Sequence, residues 1–65
     1  MTNKIGEAAG IIWSYLEKKG ESSVSKVVKD TKLPAILANR AIGWLAREGK
    51  LQFAVVKSVE KISLR

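Results

Sequence analysis

Up to Arg47 the apolar residues of this chain recur every three or four positions, and from Lys50 onward they recur every second position. That switch, made across Gly49, constrains the fold more than any other feature. A 3.6-residue period fills one face of a helix, and a period of two fills one face of a strand. The chain must therefore be helical first and end in sheet. Ile5, Ala8, Ala9, Ile12 and Leu16 predict a first helix from about residue 3 to 19, with Thr2 or Asn3 as its cap and Gly20 as its stop after Lys18 and Lys19. Ser23 caps a shorter pattern of Val24, Val27 and Val28, which predicts a helix over 24–31. Its β-branched residues make it dependent on packing rather than on intrinsic propensity. Leu33-Pro34 interrupts, because the residue before a proline avoids helical angles while proline itself suits a helix's first turn. A third helix is predicted from about 34 to 48, ended by Gly49.

Beyond it, Leu51, Phe53 and Val55 alternate with Gln52, Ala54 and Val56. Lys57-Ser58-Val59-Glu60 reads as a turn, after which Ile62 and Leu64 alternate with Lys61, Ser63 and Arg65. Two strands alone are marginal, so this hairpin must lie on the helices, and Glu21-Ser22 is placed to add a short third strand. The fold class is mainly α with a small β-hairpin (α+β). Its order is that of a winged helix-turn-helix, three helices plus a two- or three-stranded wing sheet, in one domain spanning residues 1–65. At this length folding buries only about 60% of the unfolded chain's surface, so efficient packing or a partner matters.

The formal net charge is +6 and the isoelectric point near 10.0. So large a surplus on a short chain points to an anionic partner, double-stranded DNA foremost. The surplus is concentrated after residue 32, where Arg40, Arg47, Lys50, Lys57, Lys61 and Arg65 are countered only by Glu48 and Glu60. Enzyme chemistry is poorly supplied. The chain has no His and no Cys, and its acids are scattered over helix ends and turns. The usual acid-base group, the thiol nucleophile and a metal-ligand set are all missing. No glycine-rich phosphate loop occurs, because the glycines fall at helix contacts or helix ends. A non-enzymatic protein without metal, cofactor or small-molecule ligand is expected. The apolar runs are far shorter than the roughly 20 residues of a membrane helix, and no signal-peptide pattern opens the chain, which predicts a cytoplasmic protein with no membrane partner.

Three segments, "IGEAAGIIWSYL" (5–16), "SVSKVVKDTKL" (23–33) and "AIGWLAREGKLQF" (41–53), together resemble a compact prokaryotic winged helix-turn-helix family catalogued as a domain of unknown function. The resemblance covers nearly the whole chain, and Gly-Trp-Leu-Ala-Arg-Glu-Gly is its most specific part. It implies the winged-helix fold and, through the wider superfamily, a DNA-binding ancestry, while bringing no established activity. Two positions depart from the usual pattern. Lys32 stands where such turns use Gly, which predicts a turn that is strained or differently shaped. Pro34 stands where a polar N-cap is usual.

On a helical wheel Ala38, Ala41, Ile42 and Leu45 fix the core side of the third helix, leaving Ile36, Asn39, Arg40, Gly43 and Arg47 on the outer side. Asn pairs with the adenine edge and Arg with the guanine edge in a major groove, so Asn39 and Arg40 are the best base-reading pair, with Gly43 and Arg47 beside them. Trp44, next to Leu45, reads as packing rather than as a base-stacking platform. Lys57 and Lys61, bracketing the turn, are candidates for phosphate contact, as are Lys26 and Lys29 on the second helix. Against this nucleic-acid reading, possibly transcription-related in setting, stands a second one. Trp13, Tyr15, Ile36 and Leu37, with the strand face of Ala54 and Val56, offer more apolar surface than one small core hides. That is the mark of a homodimer or another protein partner on a winged-helix fold that no longer reads DNA.

Overall fold

The computed structural model describes residues 4–65. Helix α1 runs Lys4–Lys19, strand β1 Ser22–Ser23, helix α2 Val24–Thr31, helix α3 Ala35–Arg47, strand β2 Leu51–Val56 and strand β3 Val59–Leu64. The expected capping by Thr2 or Asn3 lies outside the described residues. Within them the three helices and the three-stranded wing sheet of a winged helix-turn-helix are present, and the helix limits fall within a residue or so of the expected ones.

The core forms where the helical stripes meet. Ala8, Ala9, Ile12 and Leu16 of α1 pack with Ala38, Ala41, Ile42 and Leu45 of α3, and Val27, Leu51 and Ile62 close the cluster. Alanines on both helices let α1 and α3 approach closely, while Ile12, Leu16, Ile62 and Val27 are the largest fully buried side chains. Each such aliphatic side chain contributes about 1.5–3 kcal/mol of transfer free energy.

Helix α2 is held more lightly. Val27 is its one fully buried residue. Its N-cap Ser23 accepts from the Lys26 N–H at 3.2 Å, and the Thr31 hydroxyl donates to the Val27 carbonyl at 2.6 Å. At its C-terminal end Lys32 adopts φ 59 and ψ 22, and its N–H donates to the Lys29 carbonyl at 3.3 Å. The turn therefore keeps the left-handed shape that glycine usually supplies, and a lysine bears a strain of roughly 1–2 kcal/mol there. Pro34 is the residue before α3, with φ −57 and ψ 138 and no side-chain cap. Its fixed φ suits this entry, and its carbonyl accepts from the Ala38 N–H at 2.8 Å.

The sheet order is β1-β3-β2, antiparallel throughout. Val56 pairs with Val59, so the loop between β2 and β3 is only Lys57-Ser58. These two residues have φ 51 and φ 67, the paired positive values of a two-residue hairpin turn whose twist matches that of its strands. This corrects the expected four-residue interruption: Val59 and Glu60 already belong to β3. It also corrects the placement of Lys61, which does not bracket the turn. Lys61 lies within the central strand, opposite Ser23 on one side and Ala54 on the other. The alternation in β2 leads to a further difference. Leu51, Phe53 and Val55 share the face turned toward the helices, yet only Leu51 is buried, and Phe53 and Val55 are 48% and 71% exposed. The hairpin outruns the helices that would cover it.

Candidate nucleic-acid interface

The outward side of α3 follows from its inward side. With the buried stripe fixed by Ala38, Ala41, Ile42 and Leu45, the helical period turns Ile36, Arg40, Gly43 and Arg47 away from the core, and Asn39 lies on their flank. All five are exposed. Gly43 leaves its part of the surface open, with nothing within 4 Å of where a Cβ would stand. An incoming ligand would meet helix backbone there, about one turn from each of two guanidinium groups, Arg40 and Arg47, that stand about two turns apart. Ile36, at 69% exposure, is the apolar intrusion on this face.

The other basic candidates divide. Lys26 and Lys29 are exposed on α2, three residues apart and so neighbours along its surface. Lys57 is exposed at the apex of the hairpin. Lys61 is half-buried on the outer face of the sheet, away from that apex.

The four apolar candidates divide as well. Trp13 and Tyr15, two residues apart, leave α1 on opposite sides. Tyr15 packs against the core, and its hydroxyl donates to Asp30 Oδ2 at 2.7 Å, tying α1 to α2. That hydrogen bond to a carboxylate holds the phenol above its ordinary ionisation range, because losing the proton would set two anions side by side. Leu37 is likewise half-buried against the core. Trp13 and Ile36 are the two that stay exposed.

One grouping was missed at the level of sequence. Trp44 is 43% exposed, and with Trp13 it flanks an open cleft of about 370 Å³ between α1 and α3. Gly6 and Gly10 line the α1 side, and Leu45 and Lys50 line the other. Gly10 is therefore not a close helix contact, since nothing lies within 4 Å of an added Cβ. The wheel offers only a partial signal, because Trp44 stands roughly 110° from the centre of the buried stripe, at the border of the core, where the period alone does not decide exposure. Among the described residues no group of three or more His, Cys, Asp or Glu is placed to hold a metal ion, and no helix is long and apolar enough to cross a membrane.

Comparison with known proteins bears on the whole of this arrangement. The chain is 42% identical over 53 residues to an uncharacterized protein, MJ1608, of Methanocaldococcus jannaschii, covering 78% of this chain and 76% of that one. The solution structure of protein BT2368 from Bacteroides thetaiotaomicron superposes with a TM-score of 0.84 at 26% identity, covering 94% of this chain and 74% of the other. The Zalpha domain of PKZ from Carassius auratus, solved in complex with Z-DNA, superposes with a TM-score of 0.82 over 97% of this chain and 100% of that domain. At 19% identity this last likeness is one of fold. The family model described as winged helix-turn-helix domain (DUF2582) matches residues 1–64, and the chain belongs to that family.

Proposed function

We propose that this chain is a DNA-binding module of the cytoplasm that meets the duplex with the outward face of α3 and the apex of its hairpin. The observation that carries the reading is the open row of Arg40, Gly43 and Arg47, flanked by Asn39, on the face of α3 turned away from the core. Support comes from the net charge of +6 and from a fold neighbour that was solved with Z-DNA. Arg40, Arg47 and Lys57, with Lys26 and Lys29 alongside, act mainly on phosphates, and Asn39 and Arg40 are the pair able to reach base edges. Lys61, set back in the sheet, plays a lesser part. The exposed Ile36 at the front of α3 favours contacts led by backbone charge over a dense polar readout of sequence. It is also the observation behind a second reading, in which this face docks on protein and DNA is not bound.

Titration with random-sequence duplex at two salt concentrations separates the two readings. If about five cations meet phosphates, the slope of log K against log salt approaches −4 to −5. Arg40→Ala and Lys57→Ala should each weaken binding and flatten that slope by about one cation's worth. No binding at low salt, or binding untouched by both substitutions, assigns the face to protein.

A further inference from the structure

Strand β2 ends the sheet on one side, because the order is β1-β3-β2. Its pairing fixes which of its backbone groups are free. Val56 and Val59 close the two-residue turn as a hydrogen-bonded pair, and Arg65 N–H donates to the Lys50 carbonyl at 3.0 Å at the other end. By the alternation of an antiparallel ladder, Gln52 and Ala54 also turn their N–H and C=O toward β3. Leu51, Phe53 and Val55 then direct theirs to the open side. Proteins usually guard such an edge with charge, proline or a bulge. Leu51–Val56 has neither charge nor proline in a chain of net charge +6.

We infer that β2 pairs antiparallel with β2 of a second copy of this chain, about a two-fold axis at Phe53, joining two wings into one continuous sheet. A two-fold in the sheet requires paired residues to lie on the same face, so the axis falls on a residue. Centred on Phe53, it sets Phe53 opposite Phe53 and Leu51 opposite Val55, so every outward-directed backbone group meets another. Centred on Ala54, it sets Leu51 against Lys57, whose φ of 51 lies outside the strand; centred on Gln52, it sets Val55 against Gly49, with φ 71. The Phe53 register also keeps cations apart, because Lys50 falls opposite Val56 and Lys57 opposite Gly49. It gives the overhanging Phe53 and Val55 an apolar neighbour on the helix-facing side. The partner's hairpin tip is carried past Leu51 toward Lys50, at the rim of the Trp13–Trp44 cleft. The inference stands apart from the DNA reading, since the paired strand Leu51–Val56 contains none of the basic residues assigned to phosphates.

Sedimentation equilibrium over a micromolar to millimolar range tests it. The natural chain should dimerise reversibly, and Val55→Lys, which sets charge on the edge, should weaken the dimer at least about tenfold while circular dichroism stays unchanged. Phe53→Pro should do the same, because the N–H it removes points outward. Register is tested by single cysteines in this cysteine-free chain. Residues in a hydrogen-bonded antiparallel pair have Cα atoms about 5.5 Å apart, within disulfide range. Phe53→Cys should therefore oxidise to a covalent dimer, whereas Gln52→Cys, with its counterpart about 8 Å away, should not. A chain that stays monomeric at millimolar concentration leaves the edge to a strand of another protein and overturns the proposal. So does a dimer indifferent to Val55→Lys, or equal cross-linking by both cysteines.

Discussion

Helix α3 and strand β2 carry comparable apolar patterns, each at the period of its own element, and they meet opposite fates. In α3 the patterned residues Ala38, Ala41, Ile42 and Leu45 are all buried. In β2 the patterned row is Leu51, Phe53 and Val55, and burial stops after Leu51. Period determines which side of an element is apolar, but a neighbour must reach that side to cover it. Helix α1, Lys4–Lys19, packs along α3, whereas among the described residues nothing follows the hairpin outward.

The sharpest way to break this contrast is to remove equal kinds of side chain from each region. Ile12→Ala, at a site with no exposure, should cost about 2–5 kcal/mol in chemical denaturation, against under about 1 kcal/mol for Phe53→Ala at low protein concentration. Similar losses at both would mean that the wing is covered after all. A smaller effect is expected at the hairpin apex. Lys57→Asn with Ser58→Gly replaces two residues held at positive φ by those the turn prefers, and should raise stability by about 1 kcal/mol with unchanged hairpin register by NMR. The smallest effect lies at the Tyr15–Asp30 bond between α1 and α2. Since the folded phenol ionises above its ordinary value of 10.0, its contribution is complete below that pH and is lost as pH rises through the folded value. Natural protein should therefore lose stability on the alkaline side more steeply than Tyr15→Phe. Parallel pH profiles would remove the link.

Much of the fold was legible because its signals are local. Ser23 as a cap, Leu33-Pro34 as a break and Gly49 before the change of period mark the limits of α2, α3 and β2 within a residue or so. The two-residue hairpin turn is not legible in the sequence, because Lys57-Ser58 lacks the glycine or asparagine that usually announces two positive φ values, and the pattern reads instead as a four-residue turn bracketed by Lys57 and Lys61. At the candidate site, the outward row of α3 could be read from periodicity. The orientation of Trp44 and the half-burial of Tyr15 and Leu37 could not, because residues at the border of an apolar stripe are decided by which helix lies alongside.

The light hold on α2 has its own consequence. A segment opens locally when few buried contacts oppose it. Helix α2 is eight residues long, with Val27 as its one fully buried anchor and an exposed Tyr15–Asp30 bond beside it. Helices α1 and α3 share a core and must come apart together. Amide protons of α2 should therefore exchange ahead of those of α1 and α3, through a partial opening that lets the first half of the helix-turn-helix shift while the second keeps its place.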